Sequence, residues 1–429
     1  MKNFILPTLL FLLINASCAS RVVSQEKNEL AKQGADTVKT TIGPLVLPSP
    51  YSTESVRNES KLVDWPSEGL PTAPEGFVVT KFAEDFDNPR ITYVGPNGDL
   101  FVVESNTEKS ANRITILQDK EGNGDYATRK IFIDGLNQPY GMLILGEYFF
   151  IANTDGLYRY PYQHGQTKLE TEGEKILDLP AGGYNNHWTR NLLANEDESK
   201  IYVSVGSASN NGEHGMDEEK RRACILEINP DGSGEVLFAS GLRNPVGMDW
   251  NPATGELWTA VNERDKLGDK LVPDYITSVE RDGFYGWPFS YFGQIEDPRM
   301  EGMRPDLVEK AIIPDVPVGN HTASLGLAFY DNDKFPEKYR KGAFVGQHGS
   351  WNRSELSGFK VLFVPFSNGK PGEPEDFLTG FIADHEKSEV YGRPVGVAVL
   401  PDGSILVNDD TGNTLWKVTA SNQSSRTEQ

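Results

Sequence analysis

Short polar clusters punctuate the apolar runs of this chain, and their side chains are those of acid–base and anion chemistry. They are Asn185-Asn186-His187 with Arg190, Arg243-Asn244, His321-Thr322 and Tyr391-Gly392-Arg393. An imidazole, with an ordinary pKa of about 6.5, can take a proton from a hydroxyl near neutral pH. A guanidinium offers a planar fork of N–H donors to a carboxylate, or to an oxygen that gains negative charge during a reaction. The densest cluster, Asn262-Glu263-Arg264-Asp265, lies in a continuous segment from Gly241 that closes in GFYGWP at Pro288. Each group also has an ordinary structural use, as a polar channel histidine, an arginine tied to a backbone carbonyl, or a salt bridge between Glu263 or Asp265 and Arg264 or Lys266.

The clusters recur because a larger unit recurs: a proline-containing turn, a short apolar strand, a Gly/Asp/Asn turn, and a second apolar strand ending in small polar residues. Copies begin at Asn88, Gln138, Asn185, Arg243, His321 and Arg393, with turns such as PNGD, PDGS and NPATG between the strands. The apolar residues alternate or run in short blocks, and few stretches keep a helical period for three turns. Six copies with room for four short strands each predict an all-β chain, a six-bladed β-propeller with long loop insertions, over residues 76–420. Short helices are expected only in loops, near residues 303–310 and 336–341. In a propeller the first residues of each inner strand line one mouth of the central channel, which would gather the clusters in one place. Such a set, mostly basic or hydrogen-bonding, suits a compact polyanion with carbonyl groups.

The bulk composition limits the partners. A formal net charge of −21 repels nucleic acid and anionic lipid surfaces, so neither is an expected partner. Residues 1–18 have a basic start, an apolar core and small residues before Cys18, as in a secretory signal peptide. Ala16-Ser17-Cys18 resembles a bacterial lipoprotein cleavage box, with plain cleavage near Ala19 as the alternative. Export to the periplasm, or tethering at the outer membrane or surface through a lipid on Cys18, is therefore expected. Residues 19–75 read as a polar tether and lead-in, and 421–429 as a disordered tail. Cys224, in the strand-like ACILEI, reads as a small buried apolar residue. No P-loop, strand–GxGxxG–helix, GxSxG or zinc-like spacing is present, so nucleotide cofactors and serine nucleophiles find no support.

NNHWTRNL, GLRNPVGM, GFYGWP and GRPVGVAVLPDGSILVNDD resemble the soluble quinoprotein sugar dehydrogenases, which carry pyrroloquinoline quinone on Ca²⁺. VNERD, HTASLG and GQHGSWNR are similar to the sorbosone dehydrogenase-like branch, and the resemblance spans roughly residues 75–419. It implies a dehydrogenase that moves hydride from a sugar or aldose to the quinone and hands electrons to an external acceptor. It also implies roles for residues. His187 would be the general base, with Asn186 where the family has an Asp that orients the histidine, and Arg243 would contact the reacting quinone oxygens. Asn244, Arg190, His321, Lys360 and Arg393 would complete the cofactor site, with Arg393 and Lys360 gripping carboxylates. The main-chain carbonyls of Glu263 and Arg264 would hold Ca²⁺, although the family's Gly-Pro pair is replaced there. His348 and Trp351 either border the cofactor or fix a loop. Sugar choice is expected to lie in residues 207–222 and 289–320. Two other functions share the expected fold, a Ca²⁺-dependent lactonase with carboxylate ligands from several blades and a non-catalytic glycan- or protein-binding propeller.

Overall fold

The computed structural model describes residues 35–107 and 109–421, so the expected signal peptide, Cys18 and all but the first residue of the tail lie outside the described residues. The described chain is all-β. Its helical content is one turn at Pro305–Val308 and a 3₁₀ turn at Glu337–Tyr339, both within the loops where short helices are expected.

Six sheets follow one another along the chain, each built on a four-stranded antiparallel meander that grows outward from its first strand; the third and fifth sheets each add a short fifth strand, that of the third, Gly283–Phe284, running parallel to its neighbour. Those first strands are Pro89–Val94, Met142–Leu145, Arg190–Ala194, Pro245–Trp250, Ala328–Asp331 and Pro394–Val399. The sixth sheet takes its outermost strand from the other end of the chain, since Phe77–Ala83 pairs with Thr414–Ala420 in a register that places Phe77 opposite Ala420. Strand sequences explain how the sheets stack. In Leu100–Glu104 successive side chains point to opposite faces, so Phe101 and Val103 pack against Met142, Ile144 and Phe149 of the second sheet. Leu100 and Val102, on the other face, pack against Leu406 and Leu415 of the sixth. A strand buried on both faces has to be apolar at every position, which is why LFVV lacks a polar alternate.

The inner strands meet in a plug of Ile91, Tyr140, Trp188, Val246, Leu325 and Val395, one residue from the start of each repeat. On one side of the plug lies a cavity of about 320 Å³ lined by all six inner strands. On the other side lie the polar clusters. In four repeats a glycine follows the plug residue, because neighbouring backbones approach too closely for a side chain. A Cβ on Gly247 would sit 2.5 Å from the Leu327 nitrogen, and one on Gly396 would sit 2.7 Å from the Arg90 carbonyl oxygen. In the first and third repeats the residue after the plug is Thr92 and Thr189 instead; Thr92 hydrogen-bonds Asn408 of the sixth sheet, and Asn191, further along the third inner strand, donates to the Val246 carbonyl of the fourth.

The lead-in is more ordered than its polarity predicts. Asp36–Thr40 and Gly43–Leu47 form a hairpin whose Val38 and Leu47 bury against Tyr275, Tyr291 and Phe292, and Trp65 stacks on Tyr391 with ring centroids 4.5 Å apart. The alternation of apolar residues over a few positions suffices for a hairpin when a formed surface receives one face. The longest insertion, between Pro273–Ser278 and Val316–Asn320 of the fourth sheet, carries a small hairpin of Ser290–Tyr291 and Ile295–Glu296.

Candidate active site

Because the strands are antiparallel, the start of each first strand lies beside the end of the second, so both ends deliver side chains to the same mouth. His187 precedes the third sheet. Its Nδ1 lies 2.8 Å from the Ser207 carbonyl oxygen and 2.9 Å from Ser207 Oγ. A carbonyl only accepts, so Nδ1 carries the proton and Nε2 presents its lone pair. Burial, reinforced by the positive charge of Arg243, holds the His187 pKa well below its ordinary value, and the ring is neutral. Asn186 is exposed and its Nδ2 lies 3.3 Å from Nε2, so it touches the basic nitrogen and leaves the orienting of Nδ1 to Ser207. That differs from the expected role of Asn186, because the second-strand end of the same sheet reaches Nδ1 first. Glu219 stiffens this loop by accepting from the Ala208 and Ser209 amides at 2.7 and 3.0 Å.

Asn244 lies beside His187, and only a glycine fits between them: a Cβ on Gly206 would be 2.3 Å from Asn244 Oδ1 and 2.5 Å from His187 Cβ. Asn244 Oδ1 is buried and has no partner within the protein, the mark of a group that meets water or a ligand.

Arg243 is 2% exposed. It donates to Asn210 O and Oδ1, Asn262 O and Oδ1, Glu263 O and Asp265 Oδ2, so every N–H of its guanidinium is engaged within the protein. The expected direct contact with a quinone oxygen has no donor left to make it. Arg190 keeps both terminal nitrogens engaged, and only its buried Nε has no partner among the described residues. It is fully buried and donates to the carbonyls of His187, Thr189 and Pro180 and to Asn185, fixing the loop that carries His187 rather than facing a ligand. Burial, with Arg222 nearby, lowers its pKa to about 9.

His321 uses both ring nitrogens, with Nδ1 3.2 Å from Asp265 Oδ1 and Nε2 3.1 Å from the Gly268 carbonyl. Burial works against its charge, but the hydrogen bonds to Asp265 and Gly268 outweigh burial and raise its pKa. With both nitrogens engaged by the protein it is a structural ring, not a cofactor-facing one. Lys360 is drawn away from the mouth, to a salt bridge with Asp376 on the outermost strand of its sheet. Arg393 does stand at the mouth, donating from Nε to the His348 carbonyl at 2.9 Å and from Nη2 to the Gly349 carbonyl at 2.7 Å. Its Nη1 has no partner among the described residues. His348 donates through Nε2 to Asp410 at 2.8 Å, and Asp410 also pairs with Arg90, whose guanidinium lies over the Trp188 ring. Burial, with Arg393 alongside, lowers the His348 pKa to about 4, so this ring too is neutral.

The expected metal ligands do not suit Ca²⁺. Glu263 O accepts from Arg243 Nη1 at 2.7 Å, and the Glu263 carboxylate is bound to Arg264. Arg264 is fully buried, held by Glu263, Asp297 and the carbonyls of Pro288 and Ser290. Two guanidinium groups thus occupy the surroundings where a cation was expected. A polycarboxylate quinone is better matched, by the unpaired Arg393 Nη1, the orphaned Asn244 Oδ1 and the lone pair of His187.

Several contributors were not singled out from the sequence: Ser207, Asn210, Asp274, Asn352, Asp410 and Arg90. Asp274 accepts from the Glu263 and Ser324 amides, at 2.8 and 2.9 Å, and from Thr322 at 3.0 Å, tying the fourth sheet to the fifth. Burial pushes its pKa up to about 6. The signal for most of them was the small polar cluster that ends each second strand. Carboxylates do converge here, contrary to the expectation of mainly Arg, Asn and His, but Asp265 and Asp410 are paired with arginine and Asp274 is occupied by amide and hydroxyl donors.

The TrAA12-like family model matches residues 71–277 and 308–421. An uncharacterized protein of Borreliella burgdorferi is 30% identical over 361 residues, which are 80% of this chain and 89% of that protein. The aldose sugar dehydrogenase YliI of Escherichia coli is 30% identical over 60% of this chain and 68% of its own length. A pyrroloquinoline quinone-dependent pyranose dehydrogenase of Coprinopsis cinerea is 22% identical over 80% of this chain and 53% of its own. Among solved structures, the holo form of the quinone domain of the C. cinerea pyranose dehydrogenase superposes with a TM-score of 0.67 at 20% identity, covering 83% of this chain and all of that domain. A calcium structure of the Trichoderma reesei family AA12 enzyme gives 0.69 at 18% identity, over 85% of this chain and 99% of that one. By the extent of the matching model, with a neutral histidine at the mouth of six stacked sheets, this chain belongs to the TrAA12-like family of soluble quinone-dependent sugar dehydrogenases.

Proposed function

We propose that the chain is a six-bladed propeller dehydrogenase that oxidises a sugar, an aldose or pyranose, at a hydroxyl or hydrated aldehyde carbon with pyrroloquinoline quinone. Similarity to the E. coli aldose and C. cinerea pyranose enzymes supports the substrate class and the quinone. The motifs VNERD, HTASLG and GQHGSWNR support the finer placement in the sorbosone dehydrogenase-like branch. The observation that carries the reading is His187, neutral through burial, with its proton fixed on Nδ1 by Ser207 and its Nε2 lone pair met only by the amide of exposed Asn186, which a substrate hydroxyl can displace.

When bound, the quinone supplies the two-electron acceptor for the carbon-bound hydrogen. The protein does the rest. His187 Nε2 takes the hydroxyl proton, and the neutral acceptors on Nδ1 hold the ring in the tautomer that permits this. Arg393 would hold a carboxylate of the cofactor through its unpaired Nη1, and Asn244 Oδ1 would accept a hydrogen bond from it. Arg243 acts from within the protein, through the field that keeps His187 unprotonated, and no step is assigned to a metal. Electrons leave to a separate acceptor. Export and a lipid on Cys18 would put the enzyme at the cell surface or in the periplasm.

Titration of the purified chain with pyrroloquinoline quinone, followed by dye reduction with a panel of aldoses, tests this reading. Saturable quinone binding and aldose-dependent reduction are expected. A chain that takes up no quinone would overturn it.

A further inference from the structure

Arg243 is enclosed by oxygen. Its Nε donates to the Asn210 carbonyl at 3.1 Å. Its Nη1 donates to the Asn262 carbonyl, to Asn262 Oδ1 and to the Glu263 carbonyl at 3.1, 3.2 and 2.7 Å. Its Nη2 donates to Asn210 Oδ1 and Asp265 Oδ2 at 3.1 and 3.3 Å. The set comprises three main-chain carbonyls, two amide oxygens and one carboxylate. That is the ligand chemistry of a hard cation: Ca²⁺ takes six to eight oxygens drawn from carboxylates, side-chain amides and backbone carbonyls.

Other contacts keep these oxygens aimed inward. Asn262 Nδ2 and the Glu263 amide both donate to Asp274, at 3.2 and 2.8 Å, which orients the two successive carbonyls. The Asp265 amide donates to Asn210 Oδ1 at 2.8 Å, and Asn210 Nδ2 donates to the Asp265 carbonyl at 3.0 Å, locking the two loops together. Asp265 Oδ1 is taken by Asn352 and His321. The cage is therefore built from the protein around a single positive charge, and the guanidinium supplies that charge.

We propose that Arg243 is an internal cation filling an all-oxygen cage that would otherwise serve as a calcium site, so that the chain holds the Asn210 and Asn262–Asp265 loops together without binding Ca²⁺ there. A divalent ion in the cage would face a guanidinium at contact distance, and the oxygens cannot serve both. Removing the side chain while leaving the oxygens should turn the cage into a site for Ca²⁺ or for a small guanidinium ion.

The test compares the full chain with Arg243→Ala and Arg243→Lys by calorimetric Ca²⁺ titration and thermal melting after chelator treatment. The native chain is expected to take up no stoichiometric Ca²⁺, with a Tm that differs by less than about 1 °C between millimolar Ca²⁺ and chelator. Arg243→Ala should melt at least ~5 °C lower and recover part of that loss with Ca²⁺ or methylguanidinium, and less with Mg²⁺, whose octahedral demand the cage does not meet. Should Arg243→Ala be recovered unfolded, the same comparison is made on its refolded yield. Arg243→Lys keeps a cation in the cage and should show no Ca²⁺ response. Tight one-to-one Ca²⁺ binding by the native chain that Asp265→Asn weakens, or an alanine variant indifferent to both cations, would overturn the proposal. None of these measurements uses quinone or sugar, so failure to bind quinone would strike the functional proposal alone.

Discussion

The third and fifth sheets each bring a histidine to the same mouth, and their surroundings make them opposites. His187 holds its Nδ1 proton on two neutral acceptors, the carbonyl and hydroxyl of Ser207, and is kept uncharged, with Nε2 met only by the exposed Asn186 amide. His321 lies between a carboxylate and a carbonyl, has both nitrogens engaged and is driven toward the charged form. Burial alone does not assign a role to a histidine, since both are buried. The charge on the partner of Nδ1 does. One ring is left able to accept a proton, and the other is a rivet joining the fifth sheet to Asp265.

The sharpest break in this comparison is the pair of alanine variants. His187→Ala should reduce aldose turnover by roughly 10²–10⁴-fold, the usual worth of a general base, while costing at most about 1–2 kcal/mol of stability. His321→Ala should reverse the pattern. Loss of one member of a buried ion pair costs about 3–5 kcal/mol, read by denaturant unfolding, whereas saturable quinone binding should persist below the unfolding transition. Equal effects of the two variants on turnover would remove the distinction.

A smaller effect separates them by pH. For His187 the folded pKa lies below the unfolded value of about 6.5, so its contribution to stability is complete above that pH and is lost as pH falls through the folded value. For His321 the folded pKa is raised, so its contribution is present below about 6.5 and is lost as pH rises through the folded value. Melting curves of the two variants against the native chain should therefore diverge in opposite directions across neutrality. The acid limb of turnover should fall below pH 6.5, since His187 stays unprotonated there. The smallest effect is expected at Lys360. Its salt bridge to Asp376 is partly exposed, so Lys360→Ala should change stability by no more than about 0.5–1 kcal/mol and leave the quinone titration unchanged; weakened quinone binding would return Lys360 to the site.

Much of the fold was legible because its causes are local. Alternating or continuous apolar strands, turn dipeptides and, in four repeats, a glycine after the plug residue recur along the chain, and each reports a contact made within a sheet or with the next one. The same repetition located His187, Asn244 and Arg393, which sit at equivalent starts of inner strands. It misjudged Arg190, His321 and Lys360, whose types are right but whose side chains are held mainly by other protein groups. A side chain's partners come from distant sequence: Asn210 and Glu263 for Arg243, Asp265 for His321, Asp376 for Lys360.

The sequence by itself determined the repeat, the strand faces and which kinds of side chain gather at one mouth, since these follow from the period of the backbone and the order of the residues. Only the tertiary structure decided which of those side chains remain available for chemistry. Availability depends on which buried donors and acceptors find partners, and those partners are supplied by loops that converge only after the sheets have stacked. Arg243 shows the difference most plainly, as the basic group expected to face a ligand that folding instead encloses in six oxygens.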